Sequence, residues 1–165
     1  MTNTKTNPTN TPLPTADYLW FFNSLVRRQV CASDGTDGIS VLEHRAPYGD
    51  SPPLHIHRTE DEIFYILEGD FRFQLGEAQK RAAAGATLLV PKGARHTYRI
   101  ESRDGGRWLT VTRGGDFERF VVAVSRPAER IELPPPEGPP SPEMFAKLTK
   151  VAATHGIEFC GPPLH

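Results

Sequence analysis

Two histidines one residue apart, His55 and His57, open the stretch HIHRTEDEIFYILEG, and a carboxylate, Glu62, follows at the start of the apolar run. A third histidine, His96, lies in GATLLVPKGARHTYRI, just after a Pro91–Gly93 turn. In an extended chain alternate side chains share a face. His55 and His57 therefore point the same way, and Glu62, Phe64 and Ile66 share one face of the next run. If those two runs are neighbouring strands, both histidines and one carboxylate converge inside a barrel. Tyr98 would line the same interior as His96. An isolated pair of this kind is usually two ordinary half-exposed histidines; the full set points to a metal. Three imidazoles and a carboxylate are a mixed nitrogen and oxygen donor set for one divalent first-row metal per chain. Iron, manganese, nickel, zinc, cobalt and copper all fit. The absence of thiolate argues against a structural zinc clip. Four protein ligands on a six-coordinate ion leave two positions for substrate, water or dioxygen, which suits catalysis.

The elements that must position these groups are short. YLWFFNSLVRRQV is dense in aromatic and branched residues and reads as a strand, with a helix possible for part of it. After SDGTDG come ISVLEHR, PLHIH, EIFYILEG, DFRFQLG, ATLLVP, HTYRI and RWLTVTR, each bounded by Gly, Pro or Asp. Many short strands in close succession indicate an all-β antiparallel sandwich or barrel rather than βαβ units. In GGDFERFVVAVSRP, Phe117, Phe120, Val121 and Val124 fall at helical spacing, and Pro127 would end that helix. LPPPEGPPSP is a stiff connector. Ser141 and Pro142 form an N-cap and first-turn pair opening PEMFAKLTKVAATHG, with Met144, Leu148 and Val151 on one stripe and Gly156 as the stop. The expected organisation is a flexible tail over 1–15, a barrel with its following short helix over 16–126, a proline-rich connector over 127–141, and a helix and tail over 142–165. This last segment would pack on the barrel or on a partner.

The spacing of the glycines around the histidines carries a family resemblance. Gly49, five residues, His55-Ile56-His57, four residues, Glu62, six residues and Gly69 follow the first cupin motif. Gly85, five residues, Pro91-Lys92-Gly93, two residues and His96 follow the second, which departs only at its last position, where Ile100 stands in place of the usual Asn. That Asn is not a ligand, so the departure bears on hydrogen bonding at a strand end. The chain resembles the cupins, and the short gap between the motifs, residues 70–84, is similar to that of compact single-domain bacterial members. The resemblance implies a double-stranded β-helix jelly roll with short C-terminal helices and with His55, His57, Glu62 and His96 as metal ligands. Glu62 would also be the catalytic base. GDFERF and the closing HGIEFCGPPLH are similar to quercetin dioxygenase-like cupins, which implies oxygen-dependent chemistry on a small aromatic or enolic molecule. A cupin that binds a metal or small ligand without turnover, or a metal-dependent isomerase, hydrolase or decarboxylase, shares the same ligand set.

Other side chains are placed by the same alternation. Tyr98, Phe64 and Phe71 are candidates for a substrate pocket, although alternating aromatics in a small barrel are commonly core. Glu43 and His44 present opposite faces, so one of them can reach the interior, and Glu43 is taken as the candidate for a second layer around the metal or for substrate contact. Glu60 and Asp61 read as solvated acids near a strand start.

The totals narrow the partners. A formal net charge of −1, with Arg72, Arg81, Arg95 and Arg99 interleaved among acids, does not suit nucleic acid or a membrane surface. Runs such as IFYIL and FVVAV are too short to span a bilayer, and the N-terminus has no signal-peptide core. A cytoplasmic protein is expected, with Cys31 and Cys160 reduced. A small-molecule substrate and a homodimer through exposed strand edges, using the aromatic YLWFF segment, complete the expectation.

Overall fold

Alternation of buried and exposed side chains sorts much of the chain into strands, and the computed structural model describes residues 17–165. The expected tail over 1–15 lies outside the described residues. In chain order the elements are β1 (Tyr18–Phe21), β2 (Ser24–Val30), β3 (Ile39–Ala46), β4 (Leu54–His57), β5 (Glu62–Glu68), β6 (Asp70–Leu75), β7 (Ala78–Ala83), β8 (Thr87–Val90), β9 (His96–Ile100) and β10 (Gly106–Arg113). There follow α1 (Asp116–Val124), β11 (Arg126–Pro127), α2 (Pro142–Thr154) and β12 (Ile157–Gly161).

Two antiparallel sheets result. One runs β11-β1-β2-β3-β10-β5-β8 and the other β12-β4-β9-β6-β7. Their inner faces meet in a core where Phe64, Ile66 and Trp108 from the first pack with Phe71, Phe73 and Ile100 from the second. This is the antiparallel sandwich expected from the strand pattern, and the jelly roll that the cupin resemblance implies.

Four strands are additions to the expected set, one of them the two-residue β11 that pairs with β1. YLWFFNSLVRRQV is a hairpin, not one strand: Phe21 pairs with Ser24 across a two-residue turn, and Phe22 takes a φ of 52°. No glycine marks that turn, so composition hides it. β7 is a polar edge strand, exposed except at Ala82, and lacks the apolar alternation that identifies its neighbours. β12 follows α2 directly after Gly156, whose φ is 67°, and pairs with β4.

The two helices begin as the sequence indicates. Phe117, Phe120 and Val121 of α1 are buried, and the helix stops at Ser125, before Pro127. Ser141 Oγ accepts from the Met144 N–H at the start of α2 at 3.2 Å. Leu148 and Val151 pack beside the buried Ala152 against a cluster containing Val26, Leu42, Phe117 and Ile157. Met144 leaves the expected stripe and is 59% exposed. The aromatic start of β1 is used within the chain: Tyr18 and Trp20 pack with Leu25, Ala128 and Ile131, and Trp20 Nε1 donates to the Glu132 carbonyl. Cys31 and Cys160 are both free thiols.

Candidate metal centre

β4 and β9 are adjacent, with His55 opposite His96 in register, while β5 lies in the facing sheet. The two runs carrying His55, His57 and Glu62 are therefore not neighbouring strands. The histidines come from one wall of the barrel and Glu62 crosses from the other. One ligand atom from each of His55, His57, Glu62 and His96 lies within 4.8 Å of the others, and all four residues are buried. Glu62 Oε2 is 2.9 Å from His96 Nε2 and 3.6 Å from His57 Nε2.

The backbone sets the direction of two of these rings. His55 Nδ1 lies 2.8 Å from the Pro53 carbonyl, and His96 Nδ1 lies 3.1 Å from the Ala94 carbonyl. A carbonyl only accepts, so the proton sits on Nδ1 and the Nε2 lone pair turns inward, the tautomer a metal ligand needs. That assignment creates a conflict at His96, whose Nε2 also faces the Glu62 carboxylate within hydrogen-bond distance. An imidazole with a single N–H cannot serve both acceptors; a second ring proton or a cation seated between Nε2 and the carboxylate would satisfy the contact. His57 is buried with neither ring nitrogen partnered, a condition costing about 1–3 kcal/mol per lost bond. The donor set, the inward lone pairs and the orphaned His57 nitrogens fit a divalent metal.

Electrostatics point the same way. Burial, reinforced by His96 and His57, pushes His55 down to about 3, and burial lowers His57 too, so both are neutral donors at neutral pH. Burial alone would raise the Glu62 carboxyl, but the imidazoles of His57 and His96 outweigh it and hold the group at about 2. Glu62 is thus an anion beside the neutral donors His55 and His57, a set that suits a divalent ion.

Above the cluster opens a cavity of about 680 Å³. Its walls include Phe64, Tyr98 and Trp108 of the barrel, Phe117 and Phe120 of α1, and Phe159 of β12. Residues 137–140 of the proline-rich segment line it as well, and Glu137 there is ion-paired to Arg126 at 3.3 Å. Arg126 in turn sits 4.6 Å over the Trp20 ring.

Several sequence-derived placements change. Phe64 and Tyr98 line the cavity, but Phe71 does not: it is core, between Phe73, Tyr98 and Trp108. Glu43 lies on the outer face of β3, bound to Arg107 at 3.0 Å and to Gln29. The strand phase that buries Leu42 and Ala46 buries His44 between them, so His44, not Glu43, reaches the cavity. Asp61 is solvent-exposed as expected, but Glu60 is not a solvated acid. It is 3% exposed and accepts from the backbone N–H groups of Asp116 and Phe117, capping α1 across the fold. The helix's own N-cap, Gly115, has no side chain to do so.

A jelly roll whose interior holds three histidines and a glutamate beside an aromatic cavity has the donor set of a β-barrel that could hold a metal. Residues 41–112, somewhat under half of the chain, match the family described as "Cupin domain", so this span is a cupin barrel. The quercetin 2,3-dioxygenase of Bacillus subtilis (strain 168) is 29% identical over 105 residues, which cover 63% of this chain and 31% of that protein. An oxalate decarboxylase variant from Bacillus subtilis superposes with a TM-score of 0.54 at 19% identity, covering 63% of this chain and 29% of the other. The cupin domain of Cnp3 from Schizosaccharomyces pombe superposes at 0.52 with 13% identity, over 64% of this chain and 74% of that domain. The chain spans less than half the length of the curated relatives it matches. Among the described residues no helix is long and apolar enough to cross a membrane.

Proposed function

We propose that the protein is a metal-dependent oxidoreductase of the dioxygenase type, acting on a small aromatic or enolic molecule. The observation that carries this reading is the cavity of about 680 Å³, walled by aromatic rings, that opens directly onto His55, His57 and Glu62. Its volume lies in the range of small-molecule sites, and its lining favours a flat, apolar ligand over a small polyanion. The likeness to a quercetin 2,3-dioxygenase supports the same substrate class.

His55, His57, His96 and Glu62 would hold the metal, which supplies Lewis acidity toward a substrate oxygen and a centre for reaction with dioxygen. The chain's own residues supply the rest. The Pro53 and Ala94 carbonyls fix two imidazole orientations. Phe64, Trp108 and Phe117 exclude water and stack against a planar ligand. Glu62 is ionised at neutral pH and stands at the cavity floor, where a carboxylate oxygen can accept the proton of a substrate hydroxyl.

Oxygen uptake by metal-loaded protein, screened with a panel of flavonols and smaller enols, tests the proposal. Uptake coupled to substrate loss is the expected result. No uptake with any substrate at full metal occupancy refutes it, and turnover that persists without oxygen assigns the site to an isomerase, hydrolase or decarboxylase instead. A ligand that raises the melting temperature but is recovered unchanged would mark a binding protein.

A further inference from the structure

His44 is the one polar ring on its strand's inner face that no metal ligand role explains. It is 2% exposed, and its Nε2 has no hydrogen-bond partner. Trp108 stacks on the imidazole at 4.9 Å with the planes 9° apart, and Phe117 stacks at 6.0 Å with the planes at 23°. Phe21 meets the ring edge-on at 6.5 Å. With aromatic planes against it, the imidazole can offer the cavity only its edge, and the edge carries the nitrogens. A leucine or phenylalanine would fill the same space without the cost of an unpaired buried polar group. Burial also pushes this ring down to about 4, so at neutral pH it is an uncharged donor and acceptor, suited to a neutral hydroxyl or carbonyl rather than to an anion.

We propose that His44 is the residue that orients the ligand in the aromatic cavity, hydrogen-bonding a hydroxyl or carbonyl on a flat aromatic molecule whose rings stack among Trp108, Phe117 and Phe64. This rests on the reading of the cavity as the substrate site, and it names the polar feature the substrate carries in addition to the group that meets the metal. An analogue lacking that feature leaves the imidazole unpaired, so discrimination comes from the missing bond more than from shape. His44 is a positioning residue.

The test is equilibrium dialysis of the full chain against 2-naphthol and naphthalene, probes that differ by one hydroxyl, in metal-free and metal-loaded protein. Wild type is expected to prefer 2-naphthol in both forms. His44→Phe, which keeps the stack on Trp108, is expected to reduce that preference about tenfold, the worth of one buried hydrogen bond, while binding naphthalene no less tightly. His44→Gln should restore part of it. A preference unchanged in His44→Phe overturns the proposal, as does a wild-type chain that binds neither probe. A preference seen only with metal and surviving His44→Phe also overturns it, because the hydroxyl then goes to the ion. Should His44→Phe fail to fold, the ring 15N resonances of His44 in wild type decide: movement with 2-naphthol but not naphthalene supports the role, and movement with neither refutes it. A failed oxygen-uptake screen leaves these ratios intact, so the two readings fail separately.

Discussion

Burial of His44 makes stability depend on pH in a defined window. The ring has an ordinary value of 6.5 in the unfolded chain and about 4 in the fold, because desolvation penalises the imidazolium. Below pH 6.5 the unfolded chain takes up a proton that the folded chain refuses, so stability falls as pH drops. The loss levels off below pH 4, where both states become protonated. The 2.5-unit gap between these values corresponds to about 3 kcal/mol at 1.36 kcal/mol per unit. Burial also lowers His55 and His57, so the informative quantity is the difference between wild type and His44→Phe. Urea unfolding of the metal-free proteins from pH 7 to pH 4 should show wild type losing about 3 kcal/mol more than the variant, with equal m-values. The two curves should run parallel above pH 7. Parallel curves throughout would mean that the ring ionises freely in the fold, and would refute its placement in a dry, unpartnered position.

Glu60 caps α1 from across the barrel, so Glu60→Ala should cost about 1–3 kcal/mol in urea unfolding, while Glu60→Gln, which keeps an acceptor oxygen, should cost less. Two motif glycines should respond unequally to alanine despite similar backbone angles. At Gly85, φ is 86° and a Cβ meets nothing within 4 Å, so the cost is about 1 kcal/mol; at Gly69, φ is 90° and a Cβ would lie 2.6 Å from Ser102 Oγ and 2.7 Å from the Gly105 carbonyl, adding about 1–3 kcal/mol. Equal melting temperatures for the two variants would contradict this. Metal at a hundredfold excess over its dissociation constant should stabilise wild type by about 2.7 kcal/mol, and His57→Ala should lose most of that gain. Calorimetry of both proteins with and without chelator checks it.

The grouping of His55, His57, Glu62 and His96 was legible because its parts are tied to turns that only certain residues can make. Gly49, Gly69, Gly85 and Gly93 all take positive φ, and the spacing between them fixes where the intervening strands put their side chains. The placement of β5 opposite β4 was not legible, since alternation says which residues share a face but not which strands share a sheet. Phase explains the exchange of Glu43 for His44. Leu42 and Ala46 share the face of His44, while Arg45 shares that of Glu43, and this pairing of charges on one side was a signal available in the sequence. Glu60 offered no such signal. Its partners, Asp116 and Phe117, lie 56 and 57 positions away, and a carboxylate among acids looks solvated until the fold brings a helix terminus to it.

The barrel and the aromatic cavity draw on different parts of the chain. All four metal-site residues lie inside 41–112, the span shared with the family. Much of the cavity wall lies outside it: Trp20 and Phe21 before, and Phe117, Phe120, Phe145 and Phe159 after. Glu60 links the two, because its carboxylate fixes the start of α1, which carries Phe117 and Phe120, while its Oε1 stands 4.0 Å from His57 Nδ1. A change in the position of α1 therefore reaches the metal ligands and the cavity wall together. On the proposed reading the shared barrel would hold the ion, and segments outside the family match would shape the ligand cavity. His44 is the exception, a cavity residue within the shared span, stacked on the family span's Trp108 and covered by Phe117 from outside it. It stands where the two parts meet, which is where a group that aligns a ligand with the metal has to be.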